Sequence, residues 1–153
     1  MKHLSLFIIV ILMTQCKSIQ FDKHPPFKIT KATYNNWIGG QPNVKGINVF
    51  VLYTSEQSVE FDSMYFNERI TKIEIKEKQG IKLIVGRYDT STRNEDLILH
   101  SDSKKETGNK VPKTNTFPFE LGENEAVISY KEGNKTKYYK IKNIKQTETD
   151  FYP

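Results

Sequence analysis

Residues 69–88, RITKIEIKEKQGIKLIVGRY, decide the fold class. Across Arg69–Lys76, Thr71, Ile73 and Ile75 fall on one side of an extended chain, and Lys72, Glu74 and Lys76 on the other. A period of two places apolar side chains on one face of a half-buried strand and leaves the charged ones in water. Gln79-Gly80 then turns the chain, and Ile81–Tyr88 resumes the pattern, Ile81, Leu83 and Val85 alternating with Lys82, Ile84 and Gly86. Two such runs around a glycine turn predict an antiparallel hairpin.

The same signal continues outward in both directions, and helical periodicity is nearly absent. Toward the N-terminus, Ile29–Trp37 reads as a strand, Gly39-Gly40-Gln41-Pro42 as a turn and Val59–Phe66 as another strand. Between them, Ile47–Thr54 (INVFVLYT) is apolar on both faces, which places it centrally in a sheet. Toward the C-terminus, a polar loop over Asp89–Asn94 precedes a short strand, Leu97–His100. A long hydrophilic excursion follows, Ser101–Thr116, expected to be the most mobile part of the domain. Glu125–Lys131, with Ala126, Ile128 and Tyr130 inward, and Thr136–Ile144 form a second hairpin around Glu132-Gly133-Asn134-Lys135. About eight strands at regular spacing predict an all-β domain, an antiparallel β-sandwich. The run Leu121-Gly122-Glu123-Asn124-Glu125-Ala126, leading to Tyr130, resembles the approach to the corner tyrosine of immunoglobulin-like sandwiches. The chain departs from that pattern in having no disulfide pair and in carrying Trp37 on its first strand.

The N-terminus is of another kind. In MKHLSLFIIVILMTQCKS, residues 1–18, Lys2 precedes an apolar run from Leu4 to Met13 broken only by Ser5. Such a run is too short to cross a bilayer, which takes roughly 20 apolar residues, and it reads as a secretory signal. The sole cysteine, Cys16, follows Met13-Thr14-Gln15. The segment resembles the lipobox of bacterial lipoprotein signal peptides, and Cys16-Lys17-Ser18 resembles the mature start of Bacteroidetes lipoproteins. Together with TYNNWIGGQPNVKGINVFV near its start and FPFELGENEAVISYKEGN near its end, the chain resembles small flavobacterial lipoproteins. That resemblance implies cleavage after residue 15, acylation of the Cys16 thiol, a lipidated tether over 16–26 and a single domain over 27–153. It also implies an outer-membrane anchor. Surface-exported lipoproteins of the Bacteroidetes tend to carry acidic residues right after the Cys; Lys17-Ser18-Ile19-Gln20 has none, so the resemblance favours the periplasmic face over the cell surface.

Composition narrows the function classes. Of 23 Lys and Arg residues, cleavage would remove only Lys2, leaving 22 against 18 acidic side chains. These cations alternate along strands rather than clustering in sequence, so nucleic-acid binding is not expected, and the Lys-rich Lys104–Lys113 is the candidate contact with anionic headgroups. With its one thiol assigned to lipid, the chain has no disulfide, zinc-thiolate or thiol chemistry left. His24 and His100 are the two histidines of the mature chain; His100 with Asp96 or Asp102 is the one pair that could be drawn as base and orienter. The acidic loop Asp89–Asp96 has oxygen ligands but lacks the alternating carboxylates of a calcium loop. No catalytic residue, cofactor or metal site is therefore assigned.

Aromatic residues are the surplus. Trp37 and Tyr34 near the Gly39-Gly40 turn, together with adjacent Tyr138 and Tyr139, are the candidate binding residues. Neighbouring tyrosines on a strand face opposite ways, and exposed rings can stack on sugars or anchor a protein. The expected function is a lipid-anchored, non-enzymatic binding module for an envelope protein or glycan. The alternatives are a structural accessory of the outer membrane without a ligand site and, less favoured, a small hydrolase. An exposed aromatic patch would separate the first reading from the second.

Overall fold

A computed structural model describes residues 19–78, 80–91 and 117–153. Among the described residues nine strands are found: β1 Lys28–Ile38, β2 Lys45–Thr54, β3 Glu60–Phe66, β4 Arg69–Lys78, β5 Ile81–Asp89, β6 Ala126–Glu132, β7 Lys135–Ile141, β8 Lys145–Gln146 and β9 Asp150–Phe151. The all-β class expected from the alternation is what forms. The strands make one continuous path, β7-β6-β3-β4-β5-β2-β1-β8, with β9 also on β1. The sheet is mixed, not purely antiparallel, because β8 and β9 run parallel to β1. As its two apolar faces required, β2 lies inside the sheet, between β5 and β1.

The path folds over on itself at β4. Its first part, Arg69–Lys72, pairs with β3, and its second, Ile73–Lys78, pairs with β5. The inner faces of the two halves then meet. Met64 on β3 lies against Gly86 on β5, where a Cβ would stand 2.6 Å from the Met64 sulfur. Phe66 packs on Tyr88 at 6.2 Å and on Tyr34 at 5.1 Å between ring centroids. Phe27, just ahead of β1, contacts Tyr53, Phe61, Tyr130 and Tyr139 at once. Burying such a ring contributes about 2–3 kcal/mol, and here it ties β2 to β3, β6 and β7.

Ala126, Ile128 and Tyr130 are fully buried on the inner face, as their spacing indicated. On β5 the inward set is Ile84, Gly86 and Tyr88. Ile75 is 46 % exposed, because its part of β4 has left β3 behind. The β3–β4 turn puts Asn67 and Glu68 at φ 46° and 57°, the left-handed pair that a tight hairpin twist needs. Where β3 slips register against β6, Ser129 Oγ accepts from the Ser63 N–H at 3.0 Å and repairs the ladder.

The N-terminal stretch read as a tether over 16–26 is joined to the domain from Phe21 onward. Phe21 bridges to Tyr138 on β7, and the Asp22 N–H donates to the Tyr138 carbonyl at 2.7 Å. The Asp22 carboxylate accepts from the Tyr130 hydroxyl at 2.6 Å and from Lys137 at 3.3 Å. The corner-tyrosine role suggested for Tyr130 is thus replaced: its hydroxyl meets a side chain 108 residues away rather than nearby backbone. Burial, then the hydrogen bond to Asp22 and its charge, push the Tyr130 phenol well above its usual range. The Tyr130 hydroxyl, the His24 backbone N–H and Lys137 hold the Asp22 carboxyl down at about 2, from 3.8. Cys16, Leu97–His100, Ser101–Thr116 and most of the acidic loop lie outside the described residues.

A depressed folded pKa stabilises the fold above the unfolded value and loses that contribution as pH falls through the folded one. Replacing Asp22 with Asn should therefore lower stability by about 1–2 kcal/mol near neutral pH, after allowance for screening at the surface. The gap should close between about pH 4 and pH 2. Urea unfolding midpoints across that range are the measurement; a gap independent of pH would assign the loss to something other than the carboxylate charge.

Candidate functional site

The sheet surface opposite the core, where β9, β1, β2 and β5 lie side by side, carries a polar row. Asn35 pairs across to Asn48, and Asn48 to Arg87. Asn35 Nδ2 donates to the Asp150 carboxylate at 2.6 Å, and Arg87 reaches Asn48 Oδ1 and Glu74 Oε2, each at 3.4 Å. Asn35 and Asn48 are buried, and Asn35 Oδ1 has no hydrogen-bond partner among the described residues. The next row outward holds Trp37, Gly46 and Asp89 in register.

Gly46 makes this second row a recess. The Trp37 indole lies over it, so a Cβ there would run into the indole Nε1 and Cε2 and the Tyr88 carbonyl. Here glycine serves close approach of a ring to backbone. The half-buried Trp37 forms one wall, and Arg87 and Asp89 on β5 form the other. The C-terminus supplies a third. Strand β9 pairs with Trp37 and Ile38, the Tyr152 N–H donates to the Ile38 carbonyl at 2.9 Å, and the Tyr152 ring meets Trp37 edge-on at 6.2 Å. The Asn35–Asp150 hydrogen bond holds β9 there. The resulting hollow, about 400 Å³, is lined by Trp37, Asn48, Arg87, Tyr88, Asp89 and Tyr152. Tyr152, at its outer edge, is 51 % exposed.

Of the binding residues expected from sequence, Trp37 alone lines this recess. Tyr34 points inward onto Phe66, with its hydroxyl donating to Gln146 Oε1 at 3.2 Å. Gly39 closes a tight turn through its N–H to the Val44 carbonyl at 2.8 Å, and Gly40 is exposed with the Pro153 backbone close to where a Cβ would stand, so neither glycine lines the recess. Tyr138 and Tyr139 do face opposite ways. Tyr139 meets Phe27 in the core, while Tyr138 joins Tyr65 and Phe119 on the outer side of β6 and β7. Phe119 is buried there, so neither tyrosine stands as an open platform.

Sequence reading missed Asn48, Arg87 and Tyr152. The available signal was modest: a glycine opening an otherwise apolar strand, one residue pair away from a tryptophan strand. Among the described residues no group of three metal-ligating side chains comes together, and no helix is long and apolar enough to cross a membrane. Comparison with protein-family models, with curated proteins and with solved structures finds no match.

Proposed function

We propose that this is a non-enzymatic glycan-binding module held at the cell envelope by lipid on Cys16, at the periplasmic face of the outer membrane. The observation that carries the reading is the Trp37 indole laid over Gly46 beside Asn48, Arg87 and Asp89. An indole offers an apolar face to the C–H side of a sugar ring. Amide, guanidinium and carboxylate groups at its edge match the adjacent donors and acceptors of sugar hydroxyls. A concave, mostly apolar hollow with a few convergent polar groups is the usual form of a small-ligand site. A protein partner is the second reading, favoured by Tyr152 exposed at the recess and by Ile38 and Phe151 exposed side by side on the opposite face of β1 and β9.

Trp37 is the only tryptophan, so its fluorescence reports on this recess alone. Titration with a panel of soluble neutral and acidic hexasaccharides should shift its emission saturably for at least one member. Arg87→Ala should weaken that titration at least tenfold, about 1.4 kcal/mol, without changing the unfolding free energy by more than about 0.5 kcal/mol. Emission indifferent to every sugar would remove the glycan reading. If Trp37→Ala also abolished capture of an envelope protein, the second reading would take its place.

The anchor has its own test. Cells given labelled palmitate should label the wild-type chain and not Cys16→Ser, and the variant should leave the membrane fraction. An unlabelled wild type would rule out the acyl anchor without touching the recess.

A further inference from the structure

We infer that the lysine-rich face around the β7 edge is a docking surface for a bilayer of anionic phospholipid. Two adjoining hollows flank this edge. One, about 920 Å³, is lined by Lys23, His24, Lys137, Lys140 and Lys142 beside Phe21 and Asp22. The other, about 760 Å³, shares Lys140 and Lys142 and adds Lys31 and Lys145. Asp22 is the only carboxylate among the described residues lining either, and Tyr130 and Lys137 already occupy it. Lys137 also pairs with Glu132, and Lys140 with Glu125. Lys23, Lys31, Lys142 and Lys145 are exposed and make no ion pair among the described residues. Clustered surface cations of this kind are drawn to an anionic membrane over about a Debye length.

The course of the chain selects a bilayer over a soluble polyanion. Phe21 and Asp22 are fastened to β7, and five residue steps back stands Cys16, which fully extended chain spans in roughly 18 Å. A tether running free to residue 26 would reach about twice as far. The docked segment therefore keeps the β7 edge next to whatever Cys16 is anchored in, and the lysines lie on that edge. This inference rests on the anchored reading of Cys16. Its test uses chain without the acyl group, so the two can fail separately.

The chain from Lys17 to Pro153 contains every strand and core contact described above. It should co-sediment with vesicles of phosphatidylglycerol and phosphatidylcholine in equal parts at least tenfold better than with phosphatidylcholine alone. Binding should fall steeply between roughly 50 and 200 mM salt. Reversing three of the four unpaired lysines together, Lys23→Glu, Lys142→Glu and Lys145→Glu, should abolish that preference while leaving Trp37 emission unchanged. An equal reversal at Lys45, Arg69 and Lys76, away from these hollows, should keep most of it. Equal binding to both vesicle types would overturn the proposal, and so would equal loss in both triple variants. Binding to inorganic polyphosphate without vesicle binding would overturn it in favour of a soluble polyanion.

Discussion

Strand β4 serves two halves of one sheet, and the approach of Met64 to Gly86 is what that sharing depends on. β4 leaves β3 at Lys72 and joins β5 at Ile73, whose partner is Gly86. With no side chain at Gly86, the Met64 sulfur settles on bare backbone and the inner faces close. A larger residue would hold them apart by the width of its own atoms, and the contacts of Phe66 with Tyr34 and Tyr88 would open with them. Close-packed interiors tolerate little such displacement. Phe27 secures the other end of the same layer, and the Asp22–Tyr130 bond fastens the N-terminal segment over it.

Once the inner face is fixed, the outer face follows, since a strand's side chains alternate. Ile47, Val49 and Val51 turned inward oblige Gly46 and Asn48 to face out, and Tyr34 turned inward obliges Asn35 and Trp37 to do the same. The recess is thus a consequence of core packing plus one glycine. The parallel β9 completes it by bringing Tyr152 from the far end of the chain. Two surfaces of different chemistry result: an aromatic hollow on β1, β2 and β5, and a cationic face along β7.

Much of the fold was legible because burial on one face leaves a period of two, plainest on β4, and the seven longer strands run for seven residues or more, long enough to read as extended chain. Strands β8 and β9 escaped because two residues hold no period; backbone bonding to β1 alone defines them. The facing of β5 was ambiguous because Leu83, Ile84 and Val85 are consecutive apolar residues, so alternation could not say which side was core. Tyr130 was legible as an inward residue, whereas its partner Asp22 was not, since nothing local couples positions so far apart.

The site was legible only in its tryptophan. Tyr34, Tyr138 and Tyr139 look equally available in sequence, and only the three-dimensional arrangement shows which rings are covered. Gly46 reads as a strand opening until its neighbour across the ladder is known to be Trp37. The cationic face was only partly legible: Lys137, Lys140, Lys142 and Lys145 lie close along the chain, but Lys23 and Lys31 join them only through folding. The most direct measurement of the central claim is an amide and indole nuclear magnetic resonance map of the isotope-labelled chain, with and without the best-binding hexasaccharide. The account predicts shifts centred on the Trp37 indole N–H, Gly46, Asn48, Arg87 and Tyr152; shifts centred on Tyr138, Lys140 and Lys142 instead would contradict it.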